Sequence, residues 1–318
     1  EGLSSNAVRA LMEDKKGRIW ITTNNGINVI DQKAGTIKSL TKGQSLGGNN
    51  CWGIYQDSKH RVWSQCGNFI DLLNEEAGTI KHIKGFVASF SEDKEGNMWF
   101  GTQNAGVLIL DEKANILRKV SKDQGLSNDL IYSIVFDKMD RAWISTVGSG
   151  VFVYDPRKLS IKNFNSTHGL SNDRVLYIFA DNQHQIWMGL NGGEANIYNI
   201  SGGDIHHLTS DKNGLSNKTS FYYGFAQDKK SRIWVGSVAG SGIDIIDEKN
   251  GSYQTISKEN GLASTAVDDL IIDDKQRIWI SHNDTIPELV TNLLQDQNSI
   301  LCDIILCCTI DEIDRIWF

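Results

Sequence analysis

The residues best suited to bind a small molecule occupy one position that recurs along the chain. Five residues before a repeated aspartate, the sequence carries aromatic and charged side chains at Arg9, Trp52, Tyr132, Tyr223 and Asp268. Aromatic planes stack on the CH faces of sugars, and charged groups hydrogen-bond their hydroxyls. The position therefore predicts a carbohydrate contact. The alternative is that these residues plug a channel or pack between elements, because Tyr and Trp are readily buried.

One residue earlier, nearly every copy is apolar. This neighbouring position holds Val8, Cys51, Val87, Ile131, Val175, Tyr222, Val267 and Ile305. Successive residues of a strand point to opposite faces. The apolar position therefore predicts a core face. The variable position, which also includes Ala88, Leu176 and Leu306, predicts a side that can face a channel mouth.

The repeated aspartate begins a frame that ends in tryptophan six residues later. Its tryptophans are Trp20, Trp63, Trp99, Trp143, Trp187, Trp234, Trp279 and Trp317. Their spacing averages about 42 residues, as in a four-stranded propeller blade. We expect each Asp to cap the turn after the first strand and each Trp to fill the seam between neighbouring sheets.

Each repeat is predicted to hold four short strands. In one repeat these are residues 131–137, 141–146, 151–155 and 160–164, which are separated by Asp, Gly and Asn turns and show no helical apolar stripe. A phrase related to GLSN recurs between repeats, at Gly2, Gly125, Gly169, Gly214 and Gly261. We expect it to join one blade to the next, with Gly and Asn turning and Leu anchoring.

The expected fold class is all-β, a β-propeller of four-stranded antiparallel blades, with seven blades favoured and eight as the alternative. As one domain, 1–318, it would divide into blades at 1–43, 44–84, 85–120, 121–164, 165–209, 210–257 and 258–318. Residues 285–318 break the pattern, so this segment is expected to be irregular or to start a further blade. Pro287, Leu289 and Leu293 would suit a short helix there.

Composition excludes several classes of function. The net charge of −7, with no long run of Lys or Arg, disfavours contact with nucleic acid. No stretch approaches the about 18 apolar residues of a membrane span. The start of the chain has no signal-peptide pattern, so an export signal is either absent or already removed.

The cysteines and histidines give few further sites. If Ile54 faces Trp63 across a hairpin, Cys51 faces Cys66, which predicts either a disulfide or two buried thiols. Cys302, Cys307 and Cys308 fall in the irregular tail. No cysteine and histidine spacing fits zinc, and no His accompanies a nucleophile, so we expect no metal, no cofactor and no catalytic residue.

The chain resembles the two-component regulator propeller repeats over nearly all of residues 1–284. The resemblance rests on three features taken together: the DxxGxIW frames, the Gly-apolar third strands that end in Asp, and the GLSN linkers. The resemblance implies the periplasmic sensor region of hybrid two-component systems of the Bacteroidetes type. It further implies a ligand, here an oligosaccharide, and a signal to a kinase. The kinase and membrane anchor would lie in regions absent from this chain, and a homodimer is compatible with this arrangement.

Two other functions stay open: a propeller enzyme, either a lyase or a glycosidase, and a protein-interaction scaffold. The frame does not fit the Asp boxes of sialidases, which have Ser or Thr two residues before the Asp and a shorter spacing to Trp.

Further polar groups are expected on the rim that carries the linkers, in the loops after the Trp strand. They are Asn24, Asn25, Gln65, Asn68, Gln103, Asn104, Asn191, Glu194, His282 and Asn283.

Overall fold

The computed structural model describes residues 2–43, 45–127, 130–209, 215, 222–237, 242–262, 264–267, 269–273, 275–282, 285–290, 309–310 and 316–317. These residues form β-strands and short turns. No helix among them is long and apolar enough to cross a membrane.

Six sheets each contain four strands that are hydrogen-bonded in chain order. Sheet 1 contains β1 (Val8–Glu13), β2 (Ile19–Thr23), β3 (Gly26–Asp31) and β4 (Thr36–Leu40). Sheet 2 contains β5 (Cys51–Gln56), β6 (Val62–Cys66), β7 (Phe69–Asn74) and β8 (Thr79–Lys84). Sheet 3 contains β9 (Val87–Glu92), β10 (Met98–Thr102), β11 (Val107–Leu110) and β12 (Ile116–Val120).

The next three sheets repeat this arrangement. Sheet 4 contains β13 (Ile131–Phe136), β14 (Ala142–Thr146), β15 (Val151–Asp155) and β16 (Ser160–Phe164). Sheet 5 contains β17 (Val175–Ala180), β18 (Gln185–Leu190), β19 (Ala195–Asn199) and β20 (Ile205–Leu208). Sheet 6 contains β21 (Tyr222–Gln227), β22 (Ile233–Ser237), β23 (Ile243–Asp247) and β24 (Ser252–Ile256).

The prediction of seven blades, with eight as the alternative, is wrong, because the described residues form six four-stranded blades. The seventh frame gives a three-stranded sheet of β25 (Asp269–Ile272), β26 (Ile278–His282) and β27 (Thr285–Val290). In the eighth frame, the described residues form the pair β28 (Thr309–Ile310) and β29 (Ile316–Trp317). The physical reason is that a Trp frame predicts only the first two strands. After β26 the sequence lacks the Gly-apolar-Asp signature that marks the third strand in sheets 1, 3, 4 and 6.

The short helix expected around Pro287 is also wrong over the described residues, since 285–290 is the strand β27. β27 hydrogen-bonds to β26 alone, and its register shifts between the pairs Ile280↔Glu288 and His282↔Thr285. Proline has no N–H to donate and is tolerated at sheet edges and bulges. An edge strand with an irregular register therefore accommodates Pro287. Residues 291–308 lie outside the described part.

The chain forms two compact units, one of residues 1–54 with 223–318 and one of residues 55–222. In the second unit, Trp99 packs in one core with Ile131, Ile144 and Phe152 of sheet 4. In the same way, Trp143 packs with residues of sheet 5, including Val175.

In the first unit, the three-stranded sheet of the seventh frame packs against sheet 1. Trp279 of the three-stranded sheet packs in one core with Val8, Leu11 and Ile19 of sheet 1. The backbone N–H of Leu11 also donates to Asp269 Oδ2, at 3.1 Å. An indole from one repeat therefore covers the apolar face of the next sheet, and the last described indole covers the first sheet.

Asp137 shows what the frame aspartate does. Its Oδ1 accepts the backbone N–H groups of Met139 and Arg141, at 2.9 and 3.0 Å. Its Oδ2 accepts Arg141 Nε at 2.7 Å and the indole Nε1–H of Trp143 at 2.9 Å. The expected turn cap is confirmed, and the carboxylate also ties the turn to the buried indole.

The bond from the indole to the aspartate recurs in every described frame, with Nε1 to Oδ2 distances from 2.8 to 3.2 Å. The pairs are Asp14–Trp20, Asp57–Trp63, Asp93–Trp99, Asp137–Trp143, Asp181–Trp187, Asp228–Trp234 and Asp273–Trp279. Each of these indoles is buried. A buried donor left unpaired is costly, so the aspartate makes it possible to bury the indole. The side chain of Trp317 lies outside the described part.

The linkers turn as expected. Gly125 and Gly169 end 3₁₀ turns at Lys122–Gln124 and Ser166–His168 in the left-handed conformation, with φ of 102° and 103°. The following Leu126 is buried, and its N–H donates to Ser121 O. Glycine supplies the turn because it has no Cβ to clash.

We predict that Asp137→Asn lowers the free energy of unfolding by about 2–4 kcal/mol, because Asn cannot keep both donors of Oδ2 satisfied and removes the charge that pairs with Arg141. Urea unfolding measures this loss. Asp31→Asn is the control, since Asp31 accepts only turn N–H groups on a partly exposed site and Asn can still accept them. Equal losses in the two variants would contradict the role given to Asp137.

A second prediction concerns pH and Asp14. Burial raises the pKa of Asp14, but hydrogen bonds from Trp20 and Arg18 outweigh it and hold that pKa below its ordinary value. A depressed folded pKa stabilises the protein above the ordinary carboxyl pKa of about 4, and this stability is lost as the pH falls through the folded pKa. The stability difference between wild type and Asp14→Asn should therefore shrink between about pH 7 and pH 3. A difference that grew on acidification would contradict this sign.

Candidate functional site

A β-bulge interrupts the first strand of four sheets at the same place. The register against the second strand skips one residue, between Val8 and Ala10 in sheet 1 and between Ile131 and Ser133 in sheet 4. The skipped residues are Arg9, Ala88, Tyr132 and Leu176. This is the variable position identified in the sequence. A bulge changes the direction of its side chain, which explains why this position can differ between repeats without disturbing the ladder.

Arg9 and Trp52 lie together in the first unit. The guanidinium carbon of Arg9 lies 4.4 Å from the centroid of the Trp52 ring, within cation–π range. Arg9 Nε also donates to Asn24 Oδ1, at 3.1 Å. Trp52 is 43% exposed, whereas the indoles of the described frames are buried. These three side chains form the candidate site, which we call the Arg9–Trp52–Asn24 cluster.

Local structure fixes each member of this cluster. Arg9 occupies the bulge of β1. Asn24 begins the β2–β3 turn, and the backbone N–H of Asn24 donates to Ala7 O at 3.1 Å. Trp52 is the second residue of β5 and follows the fully buried Cys51. Trp52 therefore follows a buried residue and lies against the guanidinium of Arg9, which the amide of Asn24 holds. Its indole presents a partly exposed aromatic plane with polar groups beside it. These side chains can stack on a ligand and hydrogen-bond to its polar groups.

The other predicted residues are placed as follows. Tyr132 is half-buried at the bulge of β13, in the second unit. Tyr223 lies in β21, but its side chain is outside the described residues, and so is Asp268. At the same position Ala88 is exposed, while Leu176 is buried and therefore belongs to the core.

Among the predicted rim residues, Asn24 joins the site and several others have structural roles. Gln65 is fully buried, and its Oε1 accepts Val87 N–H at 2.8 Å while its Nε2 donates to Gly67 O. Asn25 Nδ2 donates to Ser4 O. Asn68, Gln103 and Asn104 are exposed, and Asn191 and Glu194 are half-buried. The side chain of His282 and all of Asn283 lie outside the described part.

Sequence reasoning missed a buried polar residue on the third strand. In sheet 5, Asn196 Oδ1 accepts the backbone N–H of Ser171, and its Nδ2 donates to Ser171 Oγ, which lies 2.6 Å from His207 Nδ1. In sheet 1, Asn28 contacts Ser4 in the same way. The serine of the linker phrase thus ties the linker to its own blade. The sequence did carry a signal for this contact, because a polar residue stands inside each apolar third strand: Asn28 in GINVID and Asn196 in EANIYN.

The same third-strand position carries acids in other sheets. Asp71, which is fully buried, lies 2.7 Å from His82 Nδ1, and Asp244 accepts Thr255 Oγ1–H at 2.8 Å. In both cases the partner is the directly opposite residue on the fourth strand. These contacts hold the outer strand to the blade, so we assign them to structure.

Cys51 and Cys66 are both fully buried and disulfide-bonded. No group of three or more His, Cys, Asp or Glu side chains among the described residues is placed to hold a metal ion. The Arg9–Trp52–Asn24 cluster offers an aromatic plane, a guanidinium and a carboxamide.

The repeats match a known family. Residues 2–25 and 83–104 match the profile of the two component regulator propeller. This confirms the resemblance expected from the frames and linkers. The match covers these two segments of the chain. No curated protein matches the sequence.

Solved structures share the fold. The extracellular domain of the hybrid two component system BT3049 from B. thetaiotaomicron is 23% identical, with a TM-score of 0.78 over 90% of this chain and 39% of that chain. The corresponding domain of BT4673 from the same organism is 17% identical, with a TM-score of 0.78 over 92% and 42%. This chain thus spans about two fifths of the length of these solved extracellular domains. Such identities establish the fold alone.

Propellers of another class have the same fold. Virginiamycin B lyase from Staphylococcus aureus is 16% identical, with a TM-score of 0.73 over 90% of this chain and 96% of that chain. One architecture therefore serves both extracellular domains of signalling systems and lyases, so function has to be argued from the site.

We predict that Trp52→Ala changes the free energy of unfolding by less than about 1 kcal/mol, because the indole is partly exposed and its cation–π contact with Arg9 is on the surface. Trp63→Ala should cost about 3–5 kcal/mol, since Trp63 is fully buried. Thermal unfolding of the two variants checks this contrast. A large loss in Trp52→Ala would make Trp52 a packing residue.

Proposed function

We propose that this chain is the extracytoplasmic ligand-sensing part of a two-component signalling receptor and that it recognises an oligosaccharide. The observation that carries the proposal is Trp52: it is exposed, and Arg9 and Asn24 lie beside it. The exposed indole supplies a stacking plane for the CH face of a sugar, and the two neighbouring side chains supply groups for its hydroxyls.

The rest of the proposal is supported by the repeats and the fold. The profile match names a two component regulator propeller, and two of the similar structures are extracellular domains of hybrid two component systems. In this proposal the chain binds and does not catalyse, and a kinase in regions beyond it reads the signal. Because blades fastened by buried indoles are stiff, binding would be passed on by rigid-body reorientation rather than by distortion of a blade.

The proposed site makes a direct prediction for ligand binding. When the purified chain is heated with a panel of neutral and acidic oligosaccharides, one class should raise the melting temperature, because a ligand at about 100 times its Kd adds about 2.7 kcal/mol of stability. Trp52→Ala should abolish this shift, and Arg9→Ala and Asn24→Ala should reduce it.

Tyr253→Ala is the matched control, since Tyr253 is an exposed aromatic residue in the same unit but on the outer strand β24. It should keep the full shift. An unchanged shift in Trp52→Ala would contradict the site. Turnover of the bound oligosaccharide by the wild-type chain would contradict a binding function and favour a lyase or glycosidase.

A further inference from the structure

Four large apolar side chains are exposed on sheets 3 and 4. Ile116 is 72% exposed, Leu117 59%, Met139 53% and Leu159 63%. They belong to β12 and to the β13–β14 and β15–β16 turns, all within the unit of residues 55–222. Isolated exposed apolar residues are common, but several on adjoining segments indicate an interaction surface.

Leu159 occupies a backbone position that disfavours it. Its φ is +51°, and the residue before the fourth strand in sheets 1, 2 and 6 is Gly35, Gly78 or Gly251, also at positive φ. A side chain at positive φ is strained, and glycine avoids that cost. A large apolar residue is thus present where the fold itself prefers glycine, so folding does not explain it.

Met139 is equally exceptional in its own turn. It lies two residues after the frame aspartate, where every other described frame carries a polar or charged residue. These residues are Lys16, Lys59, Glu95, Gln183, Lys230 and Lys275. On β12 the register shifts between Arg118 and Ile116, so that Leu117 lies at a bulge. The repeat pattern itself does not require any of these apolar residues.

Two contacts join these segments into one surface. Arg157 Nη2 donates to Met139 O, which links the two turns of sheet 4. Arg118 Nη1 donates to Tyr154 OH at 3.0 Å, which links β12 of sheet 3 to β15 of sheet 4. We call the four apolar residues and the cations among them the sheet 3–4 patch.

The patch is basic in a chain whose net charge is −7. Its exposed cations are Lys113, Arg118, Lys119, Lys138, Arg157 and Lys158. Arg118 is bound to a phenol, and Lys138 Nζ donates to the backbone carbonyl of Asn182. These two partners are neutral. Arg157 and Lys158 both lie 3.7 Å from the single carboxylate of Asp155, and Lys113 interacts with the neighbouring Asp111 and Glu112. The cations of the patch therefore outnumber these carboxylates, and a net positive charge remains for an anionic surface to meet.

We propose that the sheet 3–4 patch docks on the surface of an anionic lipid bilayer. Its aliphatic side chains would enter the headgroup region, and its lysines would face the lipid phosphates. Protein interfaces favour aromatic residues, Met and Arg and are depleted in Lys. This patch exposes several lysines, has no exposed aromatic residue among its four large apolar side chains, and three of those four are Ile or Leu. Symmetric pairing of two copies through the patch would bring like charges together. The inference does not depend on the ligand site.

The test is cosedimentation of the purified chain with vesicles of phosphatidylcholine alone or mixed with phosphatidylglycerol. Wild type should bind the mixed vesicles and not the neutral ones. Lys119→Glu and Lys158→Glu should each weaken binding by about fivefold or more, in line with the effect of one cation near an anionic surface. Lys33→Glu and Lys249→Glu, on exposed turns of the other unit, are the matched controls and should bind like wild type.

The apolar contribution is tested with residues that the repeats themselves use. Leu159→Gly and Met139→Gln copy sheets 1 and 5, so they should fold as well as wild type, and combined they should weaken vesicle binding by about tenfold. Failure of wild type to bind the mixed vesicles would overturn the proposal. Self-association in the absence of lipid, measured by sedimentation velocity, would also overturn it if these two substitutions abolished that self-association. The patch would then be a contact between copies of the chain.

Discussion

The hydrogen bond from a buried indole N–H to the frame aspartate is the interaction on which the rest of the structure depends. It lets a large aromatic ring be buried at the junction of two sheets without leaving its donor unpaired. The same carboxylate accepts two backbone N–H groups, and so it fixes the turn that sets the register of the first two strands. One side chain therefore links local turn structure to packing between blades.

Because the frame aspartate and tryptophan stabilise each blade, other positions of the repeat can vary. The bulge in the first strand carries Arg9 in one blade, Tyr132 in another and Leu176 in a third, while the ladder continues on both sides. Likewise, the turn residues Met139 and Leu159 depart from the pattern without loss of the sheet. A scaffold stabilised by a repeated buried bond can accommodate a binding cluster at one set of positions and a docking patch at another.

The sequence was sufficient for the repeat, for four strands per blade and for the capping role of Asp137, because each depends on contacts within a few residues. It identified Arg9 and Trp52 as candidates but not that they touch, since they lie in different repeats. The number of blades was overestimated because a Trp frame predicts only the first two strands. The partners of Asn28 and Asn196 were missed because linker and third strand are distant in sequence, and distant pairing is not encoded in local pattern.

Hydrogen exchange of the indole N–H groups tests the central claim most directly. If each frame indole is held by its aspartate inside a packed junction, the indole protons of the seven described frames should exchange only through unfolding of the blades around them. The partly exposed Trp52 indole proton should exchange rapidly and serves as the internal reference. Frame indole protons that exchange as rapidly as that of Trp52 would contradict the account.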